Sequence, residues 1–225
     1  MSFLRKFLKL NAGTEVPEQF ALWSAIAGIS AALGRRVWYH AGNHNVFPNI
    51  YIVLIAGSGR CKKSTAINVI KYMLMEIPDI NLMPQMASPQ GMIDRLSGRE
   101  GSADQDKREF IAEEAVGFLI EDELKTFLNK RSYEQNIAPT LVKFFDCEKS
   151  FEEATRGRGR NVLKNTCLGM LGGSTVEWIR EALPMEAIGG GLTSRMVFIY
   201  TDEPQKPVPR PTSPEWKEPL EMELL

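Results

Sequence analysis

Cysteine and histidine are both scarce in this sequence, which limits the kinds of site they can form. The three cysteines, Cys61, Cys147 and Cys167, are widely spaced and include no CxxC pair. An odd number at this spacing gives neither a disulfide framework nor a zinc signature, and it fits a reducing cytoplasm. The two histidines, His40 and His44, are too few for a histidine-based metal cluster.

Long apolar runs are missing as well. The N-terminal MSFLRKFLKLN mixes basic and apolar residues and has no continuous apolar segment and no small-residue cleavage site. No uninterrupted apolar stretch elsewhere is long enough to cross a bilayer. We therefore expect a cytoplasmic protein without a membrane partner.

The sequence also lacks an excess of charge of either sign. Its formal net charge is -1, so a contact with nucleic acid has to come from a local basic cluster. A hydrophobic content of 44% with 24% charged residues is ordinary for a globular domain. The composition therefore predicts one packed core and leaves the partners open.

The first third of the chain combines a helical pattern with two strand-like runs. Apolar residues recur near helical spacing from Pro17 to Leu33, and Gly34 supplies a stop. The runs RVWYH (36–40) and NIYIVLIA (49–56) predict a hairpin or two adjacent strands. The second run is apolar almost throughout, which is typical of a parallel strand that is covered on both faces.

Further along, buried strands alternate with helices, which predicts an α/β layered domain. The predicted strands are 115–120, 166–174 and 195–200, and the predicted helices are 64–75, 88–96, 123–130, 136–147 and 175–182. We divide the chain into a helical lead (1–34), a core (35–203) and a proline-rich tail or linker (204–225).

The segment GSGRCKKST (57–65) lies between the second run and a predicted helix. In that context, backbone N–H groups of the turn and of the helix N-terminus point at an anion, Lys63 adds a charge for the β- and γ-phosphates, and the Ser64 hydroxyl can bind Mg²⁺. Arg60 and Lys62 stand where glycines would let phosphate approach closely. The predicted phosphate-binding residues are Gly57, Gly59, Lys62, Lys63, Ser64 and Thr65; the alternative is a basic turn that caps a helix.

Adjacent acids end the predicted strand in FLIEDEL (118–124). Asp122 is positioned to hold Mg²⁺, and Glu123 to orient and deprotonate an attacking water, as ATP hydrolysis requires. The alternative is a solvated strand end.

Two further segments carry arginines. In TRGRGRNVLKN (155–165), Arg156, Arg158 and Arg160 alternate with glycines, which suits a hairpin tip that grips a nucleic-acid backbone; a solvated basic loop is the alternative. In GGGLTSR (189–195), Arg195 follows a glycine-rich turn. It is interpreted as an arginine finger for a neighbouring subunit, or else as an ordinary surface residue.

The sequence LGGST ends another predicted strand. Ser174 or Thr175 is interpreted as a contact to the γ-phosphate, and the alternative is a helix N-cap.

Taken in order, GSGRCKKST, FLIEDEL, ATRGRGRNVLKN and GGGLTSR resemble a phage and mobile-element family of helicase-type P-loop ATPases that is often fused behind primase modules. The last segment is also similar to the arginine-finger segment of minichromosome-maintenance helicases. The resemblance implies an AAA+-like P-loop NTPase core, with a mostly parallel central sheet flanked by helices and a β-hairpin insertion.

The resemblance also implies roles for individual residues. Lys63 and Ser64 correspond to Walker A, Asp122 and Glu123 to Walker B, Ser174 or Thr175 to sensor 1, and Arg195 to the finger that acts in a neighbouring subunit. The helical lid usual in AAA+ ATPases has no counterpart in the proline-rich end of the sequence.

The function we predict is a Mg²⁺-dependent ATPase of helicase or translocase type. It would act on DNA, with single strands as the expected form, as a homo-oligomer such as a hexameric ring and with a primase as a further partner. One alternative is a nucleotide-dependent switch or assembly factor that hydrolyses little ATP. Another is a small-molecule kinase, although the sequence shows no evident acceptor pocket or arginine-rich lid.

Overall fold

The computed structural model describes residues 2–83, 89–99, 109–128, 137–155, 159–182, 191–203 and 207–208. The helices are α1 (Phe3–Asn11), α2 (Glu18–Leu33), α3 (Lys63–Met75), α4 (Pro89–Leu96), α5 (Leu124–Phe127), α6 (Ile137–Phe145) and α7 (Val176–Ala182). The strands are β1 (Tyr39–Ala41), β2 (His44–Val46), β3 (Tyr51–Ile55), β4 (Leu82–Met83), β5 (Glu109–Ala112), β6 (Val116–Glu121), β7 (Ser150–Thr155), β8 (Gly159–Lys164), β9 (Cys167–Ser174) and β10 (Met196–Tyr200).

A five-stranded sheet forms the centre of the fold, with strands in the order β10-β3-β9-β6-β4. All four pairings in this sheet are parallel. Ile55 at the end of β3 is in register with Ser174 on β9 and with Tyr200 on β10. The carboxyl ends of these three strands therefore lie along one edge of the sheet, and the predicted α/β class with a parallel sheet is confirmed.

Alternate residues of β3 enter two different hydrophobic clusters. Tyr51, Val53 and Ile55 pack in the cluster that includes residues of α4, α5 and α6. Ile52 and Leu54 pack in the cluster that includes residues of α1, α2 and α3. Helices therefore cover both faces of the sheet, which explains why the strand is apolar at every position.

The pairing predicted for the runs 36–40 and 49–56 is wrong. The first run supplies β1, which pairs antiparallel with β2, whereas β3 lies between β9 and β10 in the central sheet. Because every residue of β3 is apolar and buried, placing it between two strands and two helix layers removes far more apolar surface from water than an exposed hairpin would.

The predicted β-hairpin insertion is present as β7 and β8. These strands pair antiparallel, the last pair being Thr155 with Gly159, and β5 pairs parallel with β8 to complete a second sheet of three strands. The tip of the hairpin, residues 156–158, lies outside the described residues. Since β5 precedes β6 and β8 precedes β9, this sheet projects from the amino edge of the central sheet.

The segment predicted as a helical lead packs on the core. Phe20 and Ala25 of α2 share a hydrophobic cluster with Ile52 of β3 and Ile67 of α3. Of the predicted tail, only residues 207 and 208 are described. Within the described ranges, no helix combines the length and the apolar character needed to cross a membrane.

Candidate functional site

The central sheet leaves a crevice at the carboxyl ends of β3 and β9, which are neighbours. Helix α3 follows β3 and packs on one face of the sheet. Residues of α7, which follows β9, pack against the cluster on the other face. Because the two loops leave neighbouring strands toward opposite faces, the space between them is where parallel α/β sheets commonly bind ligands.

A cavity of about 290 Å³ occupies this crevice. It brings together most of the residues that the sequence predicted for phosphate, metal and water. Its lining includes Gly59, Lys62, Lys63, Ser64, Thr65, Asp122, Glu123, Ser174 and Thr175, while Gly57 lies outside the lining. Lys125 and Trp178 line the same cavity and were not predicted from the sequence. Lys125 comes just after the two acids and Trp178 lies in the first turn of α7, and these positions were the signal that could have indicated them.

A larger cavity of about 500 Å³ lies at the opposite, amino edge of the central sheet. Its lining includes Arg35, Trp38 and Val116, and none of the predicted site residues. The carboxyl-edge cavity is the better candidate because the glycine-rich loop, the adjacent acids and the helix N-terminus all meet there.

The segment 57–65, called here the glycine–lysine loop, contains three residues in the left-handed region. Gly59 has φ +67°, Cys61 has φ +59°, and Lys62 has φ +46°. A lysine in this conformation costs about 1–3 kcal/mol relative to a residue in a favoured region, whereas glycine adopts it freely. Lys62 therefore takes the backbone shape of the glycine that the phosphate-loop pattern requires.

Helix α3 begins at Lys63 without a side-chain cap on its first turn. The first N–H groups of a helix have no partner within the helix, and together with the helix dipole they favour an anion. Ser64 and Thr65 in this turn are exposed and line the cavity. The start of α3 therefore fits the phosphate groups predicted for this position.

The Lys63 ammonium lies across the loop. Its Nζ donates to the carbonyl oxygens of Ala56 at 2.8 Å and Gly57 at 3.3 Å. Partial burial lowers the pKa of Lys63, and the nearby carboxylates of Glu123 and Glu177 oppose that shift. The charge is thus held at the mouth of the loop by neutral acceptors, which an anion can replace.

The acidic segment is held against β9 by close backbone packing. Glu121, the last residue of β6, is in register with Gly172. At Gly173, an added Cβ would lie 2.3 Å from the carbonyl oxygen of Asp122. Only glycine leaves room for this approach, so β9 fixes the position of Asp122 beside the cavity.

We expect Gly173→Ala to displace Asp122 and to destabilise the fold. The new methyl group would overlap backbone, which cannot move away as a flexible side chain can, and overpacking of this kind costs about 1–3 kcal/mol. The free energy of unfolding in urea measures the loss. Gly13→Ala is the matched control, because an added Cβ there meets nothing within 4 Å; equal stability of the two variants would contradict the packing argument.

The Glu123 carboxylate contacts Lys125, with Oε2 at 2.8 Å from Nζ. Both side chains are more than half exposed, at 56% and 59%. This contact is a surface ion pair of modest strength, so Glu123 is free to exchange Lys125 for a water molecule.

Ser174 and Thr175 have different surroundings. Thr175 Oγ1 accepts a hydrogen bond from the backbone N–H of Trp178 at 3.2 Å, so the helix-capping alternative describes Thr175. Ser174 is buried, and its Oγ donates to the carbonyl oxygen of Thr175 at 3.3 Å. Both residues line the cavity, and each hydroxyl already has one hydrogen-bond partner.

Arg195 does not lie at this cavity. It precedes β10, at the amino edge, and the five residues of β3 put about 16 Å between the two edges at about 3.3 Å per residue. Its Nε and Nη2 each donate to a carboxylate oxygen of Asp146 at 2.8 Å, and its Nη1 donates to the carbonyl oxygen of Gly191 at 2.8 Å. Arg195 therefore lies too far from the cavity of its own chain to contact a ligand there.

The arginine hairpin is described in part. Arg160 lies on β8 and forms ion pairs with Glu109 and Glu152, each at 2.8 Å. Its guanidinium is therefore shared between two carboxylates, which sequence spacing did not indicate. Arg156 and Arg158 lie outside the described residues.

The oxygen ligands available for a metal ion are few. Among the described residues, no group of three or more His, Cys, Asp and Glu side chains could hold one. Ser64 and Asp122 both line the cavity. Two protein oxygens fit Mg²⁺, which commonly binds one or two carboxylates and takes its remaining ligands from water and phosphate.

The fold and the site together define an α/β protein with a parallel central sheet and a cavity at the carboxyl edge of that sheet. No protein-family model matches the chain, and the curated proteins searched give no match. The family resemblance drawn from the motifs stays a prediction.

Proposed function

We propose that this chain is a P-loop ATPase domain of the AAA+-like, helicase type, which binds ATP with Mg²⁺ and uses hydrolysis to act on DNA. The observation that carries the proposal is the single cavity lined by Lys63 and Ser64 of the loop, by Asp122 and Glu123, and by Ser174. These residues come from three strand ends that are separated in sequence. A helix-capping turn needs none of the others, so their convergence favours a ligand site.

In this proposal the phosphates lie on the N–H groups at the start of α3, and Lys63 exchanges its carbonyl acceptors for phosphate oxygens. Ser64 and Asp122 would hold Mg²⁺, which when bound neutralises charge on the β- and γ-phosphates. Glu123 would orient a water molecule and take its proton as the water oxygen attacks the γ-phosphorus, while the bond from that phosphorus to the bridging oxygen breaks and ADP leaves.

In this proposal Arg195 has a role only if the chain forms an oligomer. A ring of identical subunits, such as a hexamer, would bring Arg195 of one copy to the cavity of the next, where its guanidinium stabilises charge on the transferring group. Asp146 holds the guanidinium at the surface, with the Arg195 side chain 26% exposed. The pair therefore has to open, or to keep one N–H free, for this contact.

The DNA part of the proposal rests on the motif resemblance and on the hairpin formed by β7 and β8. The hairpin carries Arg160 on its second strand, and its tip sequence adds Arg156 and Arg158. Arginines at that density suit the phosphates of single-stranded DNA, and Arg160 would have to exchange Glu109 or Glu152 for a phosphate. A role in phage or mobile-element replication, beside a primase, follows from the same resemblance.

A nucleotide-dependent switch is the second candidate, and the contact between Glu123 and Lys125 favours it. If Glu123 kept its contact with Lys125 while ATP is bound, the positive charge would make the carboxylate a weaker base toward water, and ATP would be held with little hydrolysis. The two candidates share the binding site and differ in turnover.

Single-turnover hydrolysis of radiolabelled ATP, with and without single-stranded DNA, tests the proposal. A motor is expected to hydrolyse ATP faster when DNA is present, because DNA binding and hydrolysis are coupled. Binding without hydrolysis in either condition would support the switch. Absence of ATP binding would contradict both, and a phosphorylated metabolite among the products would indicate a kinase.

A further inference from the structure

The strained residue of the glycine–lysine loop is held by a carboxylate from a distant segment. Lys62 Nζ lies 3.0 Å from Glu15 Oε2, and the two side chains are 50% and 30% exposed. Lys62 is the residue with φ +46° and ψ +43° directly before α3. The contact therefore acts on the position where a lysine replaces the expected glycine.

Glu15 is itself fixed in place. It lies between α1 and α2, next to Val16, which is buried. The Thr14 side chain donates to the carbonyl oxygen of Asn11 at 2.8 Å and accepts from the Val16 N–H at 3.2 Å. These bonds order the turn that presents Glu15, so the carboxylate meets Lys62 without further ordering of its own backbone.

The second oxygen of Glu15 has a different partner. Oε1 accepts a hydrogen bond from the backbone N–H of Val208 at 3.1 Å. The hydrogen bond from Lys62 is the main cause that lowers the pKa of Glu15, and the bond from Val208 adds to it. One ionised carboxylate thus joins the turn before α2, the glycine–lysine loop and the segment that follows the last strand.

We propose that Glu15 is a positioning residue for the glycine–lysine loop, because its ion pair holds Lys62 in the left-handed conformation that lets the loop N–H groups face an anion. This inference rests on the proposed function for its consequence in phosphate binding. It also explains how the chain functions with a lysine at a glycine position: the ion pair offsets part of the backbone strain at Lys62.

A double-mutant cycle of Glu15→Gln and Lys62→Gly in the full chain tests the proposal. Affinities for ATP with Mg²⁺ and for inorganic tripolyphosphate are measured by calorimetry. With Lys62 present, Glu15→Gln is expected to weaken both affinities about two- to fivefold, the range of one exposed ion pair. With glycine at 62, the same change is expected to leave both affinities as they were, because glycine needs no support in this conformation.

An equal loss in both backgrounds, or no loss in the first, would overturn the proposal, because Glu15 would then act through Val208 alone or not at all. The folding equilibrium constant from urea unfolding gives a second readout, and there too the effect of Glu15→Gln is expected only with Lys62 present. That readout stays decisive if the wild type binds neither ligand, an outcome that would contradict the proposed function and not this one. Glu113→Gln, which removes the exposed ion pair with Lys164 at 2.8 Å, is the matched control and is expected to change neither affinity.

Discussion

Replacing Lys63 with alanine is expected to weaken the binding of ATP with Mg²⁺ by about two orders of magnitude. The ammonium lies at the cavity and already donates two hydrogen bonds across the mouth of the loop. A charged hydrogen bond contributes about 1.5–3 kcal/mol, and 3 kcal/mol corresponds to somewhat more than 100-fold in affinity. Calorimetry or fluorescent-nucleotide titration measures the change.

Lys71→Ala is the matched control for this variant. Lys71 lies on the same helix, α3, and is not among the residues that line the cavity. Lys71→Ala removes the same charge from the protein, so the affinity of this variant for ATP is expected to stay at the wild-type value. Wild-type affinity in Lys63→Ala would show that the loop does not hold the triphosphate, and the ATPase proposal would fail with it.

Replacing Glu123 with glutamine is expected to leave ATP binding intact while lowering the hydrolysis rate about 100- to 10,000-fold, the usual range for loss of a general base. Glutamine keeps the size of the side chain and loses the ability to accept a proton from water. A variant that binds ATP normally but hydrolyses it slowly would identify Glu123 as the general base. Single-turnover hydrolysis with saturating enzyme measures the rate, and equilibrium titration measures the binding.

Glu76→Gln supplies the control here. Glu76 follows the last residue of α3, at the end of the helix remote from the loop, and it is exposed. The change is chemically identical and is expected to leave both rate and affinity unaltered. A Glu123→Gln protein that hydrolyses ATP at the wild-type rate would rule out Glu123 as the base and would redirect attention to Asp122.

The sequence indicated the position of the glycine–lysine loop but not its backbone conformation. Lys62 departs from the glycine pattern, and glycine is favoured at this position because the backbone there has a positive φ. Whether a lysine would adopt that conformation depends on what holds it, and the carboxylate that does so, Glu15, is 47 positions away along the chain. Local propensity does not encode such a contact.

For Asp122 and Glu123, too, the sequence predicted the position in an element but not the tertiary contacts. The pattern of an apolar strand followed by Asp122 and Glu123 predicted their place at a strand end. The distance of these acids from the glycine–lysine loop depends on β9, because β9 lies between β6 and β3. Gly173 on β9 leaves room for the backbone of Asp122 to pack closely. Strand order is set by packing between segments far apart in sequence, so the motif alone left the convergence open.

The sequence by itself predicted four of the five strands described in the central sheet, all but β4, together with the helices between them and the chemical types at their ends. Continuous apolar runs suit strands buried on both faces, and the switch to helical periodicity marks the helices between them. Only the tertiary structure decided that β3 pairs with β9 and β10, that Lys63 and the acids share one cavity, and that Arg195 lies at the opposite edge beside Asp146. The physical reason is separation along the sequence. Local periodicity depends on neighbouring residues, so the sequence shows it directly. Strand order and the meeting of side chains in one cavity depend on burial and pairing between residues that are far apart in the chain.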